Sequence, residues 1–149
     1  MKAFRLRTHH FLLAFVALIL FCHFASKLIF IQHPEQAEIL PNIPASKLND
    51  SIRRGNRLVL FYDSKSESCD YMMYKLSKLR KNHQSDSIIF YRVNINNDNN
   101  LINKYRISLA PLILAFKDGK EQQRVMGIVP QSNLEIVRKR LLYSNKNLN

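Results

Sequence analysis

Leu58–Tyr71 reads LVLFYDSKSESCDY, and within it the periodicity of the chain changes. Leu58, Val59, Leu60, Phe61 and Tyr62 form an unbroken apolar and aromatic run, the pattern of a strand covered on both faces, and Asp63 and Ser64 end it. Cys69, Met72, Met73, Leu76 and Leu79 then recur at helical spacing, with Asp70, Lys75, Lys78 and Lys81 on the opposite face. A buried strand thus passes into an amphipathic helix through Ser66-Glu67-Ser68-Cys69. Such junctions, at the carboxyl end of a strand, are where α/β sheets build their sites.

The flanking sequence supplies the remaining elements. Upstream, Ser46 is placed as the N-cap of a short helix running to Arg54 and stopped by Gly55. Downstream, Ile88 to Ile95 reads as a second buried strand. Asn96-Asn97-Asp98-Asn99-Asn100 reads as a turn that caps a short helix reaching Lys104 or Tyr105. Leu112 to Phe116 and Gln122 to Val129 form a hairpin across Asp118-Gly119. Pro130 ends that pattern, and Ser132-x-x-Glu135 reads as a capping box. The helix it opens places Leu134, Ile136, Val137, Leu141 and Leu142 inward and Arg138, Lys139 and Arg140 outward.

From roughly Ser46 to Leu142 the chain resembles the thioredoxin family, whose strand runs through an aromatic segment into Cys-x-x-Cys at a helix start. Lys104-Tyr105-Arg106-Ile107-Ser108-Leu109-Ala110-Pro111 looks like the family segment that ends in a cis-proline. Lys117-Asp118-Gly119-Lys120 looks like its hairpin, and Gly127 falls where the family has a glycine. The resemblance implies a three-layer α/β fold with a central mixed sheet flanked by helices. It also implies a cis peptide between Ala110 and Pro111, and a groove in which the backbone of Ala110 pairs with an extended substrate.

The departures bear on the chemistry. With Cys69 at the family's second cysteine, Ser66 stands at the attacking first one, Lys65 at a usual tryptophan, and Leu60 at the buried acidic proton acceptor. A serine hydroxyl is not ionised near neutral pH and is a poor nucleophile toward sulfur, so the two-thiol cycle is closed to this domain. Besides an unrelated function on the same fold, which fold alone does not fix, two functions compete. One is a peptide- or protein-binding module whose groove is lined by Lys65, Glu67, Ala110 and Pro111. The other is a single-thiol redox protein in which Cys69 forms mixed disulfides resolved by an outside thiol and Ser66 donates a hydrogen bond to its thiolate. A helix start favours a thiolate and apolar neighbours oppose one, and Cys69 shares the register of Met72, Met73 and Leu76, as a core residue does.

The chain has 149 residues, enough for one modest domain and an appendage. Residues 1–10 are a basic flank. Phe11 to Ile31 is almost wholly apolar, the length of a single transmembrane helix, and the positive-inside rule places the N-terminus in the cytoplasm and the domain in a periplasm or lumen. The alternative is a signal peptide and a secreted domain, but no small-x-small cleavage site follows the apolar stretch. Residues 32–45, with Pro34, Pro41 and Pro44, read as a linker with a short edge strand at Ala37 to Leu40. Residues 46–143 read as the domain and 144–149 as a polar tail.

Net charge is +12, of which +8 lies from His33 onward. Its tight clusters, Arg53-Arg54 and Arg138-Lys139-Arg140, are not interleaved with aromatics as a single-strand nucleic-acid binder requires, so no nucleic-acid partner is expected. Cys22 and Cys69 are the only cysteines, so the domain has no internal disulfide. Three glycines leave no phosphate loop, and no cofactor or metal is expected.

Overall fold

The computed structural model describes residues 13–23 and 40–143 of the chain, which divides into two units, Met1–Gln36 and Ala37–Asn149. In the first unit residues 13–23 form helix α1. Its large apolar side chains, Leu13, Phe15, Val16, Leu18, Ile19, Leu20 and Phe21, are all exposed. The helix is about 16 Å long at about 1.5 Å per residue, and no helix among the described residues is long and apolar enough to cross a membrane. Residues 11, 12 and 24–31 of the expected span lie outside the described residues, as do the basic flank, residues 32–39 and the tail.

The second unit runs α2 (Ala45–Ile52), β1 (Asn56–Tyr62), α3 (Glu67–Asn82), β2 (Ile88–Asn94), α4 (Asn99–Tyr105), β3 (Leu112–Lys117), β4 (Lys120–Met126) and α5 (Gln131–Tyr143). The sheet order is β2-β1-β3-β4. β1 pairs parallel with β2 and antiparallel with β3, and β3 pairs antiparallel with β4. The mixed sheet and the three layers are those expected from the sequence.

β1 is central, and its alternation builds both cores. Leu58, Leu60 and Tyr62 face a cluster with Cys69, Met72, Leu76 and Leu79 of α3 and Leu134, Val137 and Leu141 of α5. Val59 and Phe61 face the other layer, with Leu48 and Ile52 of α2 and Leu101 of α4. The Phe61 ring centroid lies 5.2 Å from that of Tyr105, which meets Phe116 edge-on at 6.2 Å. Every residue of both clusters lies between Leu40 and Leu142.

Several boundaries differ from the sequence reading for local reasons. α2 begins at Ala45, with Pro44 rather than Ser46 at its cap. Leu40 to Pro44, read as the end of a linker, are packed: Leu40 is buried, Ile43 N donates to Arg92 O at 3.0 Å, and Arg92 N donates to Pro41 O at 3.0 Å. This parallel bridge lies beyond the expected edge strand. β4 ends at Met126 because Gly127 turns to a φ of +73°. The hairpin itself is as expected, with positive φ at Asp118 and Gly119, the two-residue turn that matches strand twist. Asp118 also accepts from Gly55 N at 2.8 Å, fastening the hairpin to the start of β1.

On α5, Leu134, Val137 and Leu141 are buried as expected, but Ile136 is exposed and Arg138 is not outward. The Arg138 side chain is 11% exposed, bonded to Asp86 at 2.5 Å and to Glu135 at 2.8 Å. Glu135 therefore does not close a capping box; its other oxygen meets His83 Nε2 at 2.8 Å, tying α5 to the end of α3. Burial raises the Glu135 carboxyl, but its bonds to His83 and Arg138 outweigh that and leave it below the ordinary value. A carboxyl depressed in the folded state stabilises above the unfolded pKa and loses that contribution as pH falls through the folded one. Glu135→Gln is therefore expected to cost at most about 1 kcal/mol at neutral pH, because the pair is partly solvated. The difference from the parent should shrink as pH falls below the ordinary carboxylate range, which urea unfolding at neutral and at acidic pH checks.

Candidate functional site

At the carboxyl end of β1 the chain leaves the sheet at Asp63, turns through Ser64 and Lys65, and enters α3 at Glu67. This loop is fixed by its own polar groups. The Asp63 carboxylate accepts from Lys65 N and from Asn96 Nδ2, each at 2.8 Å. These two bonds, led by the Lys65 backbone N–H, hold the Asp63 carboxyl below its ordinary value. Asn96 Oδ1 in turn accepts from Ser64 N at 3.0 Å. The loop after β2 thus clamps the loop after β1, and Ile95 N donating to Tyr62 O at 3.0 Å extends the pairing.

Ser66 is the N-cap residue of α3, with extended backbone. Its carbonyl accepts from Cys69 N at 2.9 Å, while its side chain makes no capping bond. Cys69 lies one turn inside, at 0% exposure, within the cluster that contains Tyr62 and Met72. Its sulfur accepts a weak hydrogen bond from Asp63 N at 3.4 Å. The donor to the Cys69 sulfur is thus the backbone of Asp63, where the sequence reading placed the Ser66 hydroxyl. Lys65 and Glu67 are exposed, and Ser66 is half-buried.

Ala110 and Pro111 precede β3, and the peptide between them is cis. Pro111 is buried and its carbonyl accepts from Gly127 N at 2.8 Å. Ala110 is half-buried and packs against the cluster that holds Cys69. Among the described residues, neither its backbone N–H nor its C=O has a partner. Beside it stands an apolar rim. Leu109, Met126 and Ile128 are all more than half exposed. A Cβ placed on Gly127 would meet Leu109 Cδ2 at 4.0 Å, and Ser108 Oγ reaches Met126 Sδ at 3.7 Å.

The sequence reading expected the cis peptide between Ala110 and Pro111 that the structure has, but gave no sign of Asn96 or of this rim. Asn96 was read as part of a turn, and the 33 residues separating it from Asp63 leave no local trace of their pairing. Met126 and Ile128 were assigned to an unbroken strand, in which they carried no signal of exposure; the bend at Gly127 separates them.

A strand–loop–helix junction with a buried sulfur, opposed by a loop ending in a cis-proline, defines a thioredoxin-like domain. The family model for thioredoxin matches residues 42–139, and the chain belongs to that family. Among solved structures it is similar to oxidised mitochondrial thioredoxin 3 from Saccharomyces cerevisiae, with 16% identity and a TM-score of 0.60, covering 69% of this chain and 96% of that one. It is also similar to a chain from a structure describing thiol resolution in yeast mitochondrial 1-Cys peroxiredoxin via the glutathione and thioredoxin systems. The identity there is 16% and the TM-score 0.59, with 67% of this chain and 93% of that one covered. At such identity the likeness establishes the fold alone. No curated protein matches this chain in sequence.

Proposed function

We propose that this protein is a membrane-anchored thioredoxin-family module that binds extended peptide or protein segments on the periplasmic or lumenal side, without dithiol chemistry. One contrast carries the reading: the Cys69 sulfur is sealed, while the backbone of Ala110 is open beside a cis-proline. An extended segment gains affinity from backbone pairing and specificity from side-chain pockets, and Leu109, Met126 and Ile128 supply an apolar wall for the latter. Ser66 stands in place of an attacking thiol and brings no thiolate of its own. The anchor is supported by α1, whose apolar residues are exposed all round in the folded chain, as in a helix solvated by lipid. Lys2, Arg5 and Arg7 on its N-terminal side favour a cytoplasmic N-terminus.

The competing reading is single-thiol redox chemistry at Cys69, for which the Asp63 N–H is the favouring observation, since that donor suits an anionic sulfur. The two separate on mutation. Peptides selected against the protein from a displayed library are expected to shift the amide signals of Leu109–Ala110 and Gly127–Ile128. Leu109→Asp and Ile128→Asp change exposed side chains, should alter stability by no more than about 0.5 kcal/mol, and are expected to weaken binding at least about tenfold, a loss of about 1.4 kcal/mol. Cys69→Ala should leave the affinity within about twofold, or roughly 0.4 kcal/mol. Loss of binding in Cys69→Ala with a native thermal melt would overturn the reading in favour of the thiol.

A further inference from the structure

The charge of the second unit is sorted along the strand direction. At the end where β1 begins, Arg53 and Arg54 lie exposed in the α2–β1 loop. The hairpin brings Lys117 and Lys120 beside them. Lys117 registers with Asn56 and with Lys120, and Arg53 backbone lies 3.7 Å from a Cβ built on Gly119. α2 and α3 end there too, leading into the starts of β1 and β2. β2 starts at Ile88 opposite Asn56, and Arg138 of α5 bonds Asp86 just before it, so Lys81 and the exposed Lys139 and Arg140 sit at the same end.

The acids at this end are largely spoken for. Asp86 and Glu135 are bonded to Arg138, Asp118 to Gly55 N and Glu121 to Arg124, and Asp50 is the remaining one. Asp63, Glu67, Asp70 and Asp98 lie instead at the opposite end, around the start of α3 and the loop after β2. The candidate site therefore stands on the more acidic end, with Lys65 as the cation among those carboxylates.

We propose that the basic end is a docking surface for an anionic lipid bilayer, which holds the Ser66 loop and the Ala110 groove pointing away from the membrane into the aqueous compartment. The partner is fixed by two features. A surface of lysine and arginine suits a fluid array of negative headgroups, each residue strengthening partition roughly fivefold. Leu40 to Asn42 also run in the direction that leads away from that end: the Asn42–Arg92 bridge is parallel, so they lie alongside β2 in the sense of β2 itself. The inference does not depend on the anchor, because the charge belongs to residues beyond Ala37.

The test uses the full chain on phosphatidylcholine vesicles and on vesicles of phosphatidylcholine and phosphatidylglycerol at 7:3. Lysine acetylation is read site by site by mass spectrometry. On the anionic vesicles, Lys117, Lys120 and Lys139 are expected to react at least about threefold more slowly than on neutral ones, with Lys65 unchanged as the internal control. High salt and the variant R53E/R54E/K117E/K120E should both remove the difference. Sedimentation with neutral vesicles reports the anchor separately, so its failure is distinguishable. Equal rates on both vesicles, protection of Lys65 instead, or protection reproduced by nucleic acid or a polyglutamate peptide but not by anionic lipid would each overturn the inference.

Discussion

Cys69 in the folded protein is expected to react with iodoacetamide at least about a thousandfold more slowly than the same thiol in denaturant, because its sulfur has no exposed surface. Reaction requires an opening that lifts the start of α3 away from β1. That opening breaks the Asp63 N–H to sulfur contact, uncovers Met72 and Tyr62, and releases the clamp that Asn96 places on the loop. If the opening is global, protection equals the unfolding equilibrium constant, and the labelling rate should climb with denaturant along the same transition as the backbone signal. If it is local, the rate will be less protected and nearly independent of dilute denaturant. Mass spectrometry of each cysteine-containing peptide keeps Cys22, which is exposed on α1, separate. A rate within about tenfold of the unfolded thiol, saturating well below the pH at which a free thiol ionises, would falsify the sealed-sulfur account and favour single-thiol redox chemistry.

How much of this was legible in advance depends on the range of the interaction. The β1–α3 junction was legible because periodicity is local: five consecutive apolar residues followed by a 3.6-residue spacing admit few other structures. The hairpin was legible because Asp-Gly carries its turn chemistry in two residues. Ala110 and Pro111 were legible only through resemblance, since no local pattern marks a cis peptide. Tertiary pairing was not legible. Arg138 was assigned to solvent by its position in a basic triplet, and Asp86, 52 residues away, draws it inward together with Glu135. Glu135 fits a capping box by spacing, yet His83 and Arg138 bind it more favourably than the helix start does. Ile136 was placed inward with its neighbours, but the buried stripe of α5 follows Leu134, Val137 and Leu141 alone.

Leu60→Asp is expected to bring the domain close to unfolding at neutral pH, and its pH dependence should run opposite to that of a surface carboxylate. Leu60 has 0% exposure at the centre of β1, paired with Arg92 on one side and Ile113 on the other, and it packs in the cluster that includes Cys69, Met72 and Leu76. Removing the leucine side chain costs about 2–5 kcal/mol in lost packing before any charge is considered. The carboxyl that replaces it has no preformed partner. Arg92 faces the same layer, but its Nη1 donates to Met73 Sδ at 3.1 Å and its guanidinium lies over the Tyr62 ring, 5.4 Å from the centroid, which leaves its buried Nε, without a hydrogen-bond partner, as a donor open to a new acceptor. Desolvation therefore raises the folded pKa of the new carboxyl above its unfolded value of about 3.9. Between those two values the native state holds a proton that the unfolded chain has released, so stability falls by about 1.4 kcal/mol per pH unit as pH rises through that window. Below about pH 3.9 both states are protonated, and only the packing loss and the cost of a neutral buried carboxyl remain. Urea midpoints from about pH 4 to pH 8 should fall steadily in the variant. A flat profile would mean that Arg92 swings from Met73 to pair with the new carboxylate, leaving β1 able to carry an acidic group that its present sequence does not use.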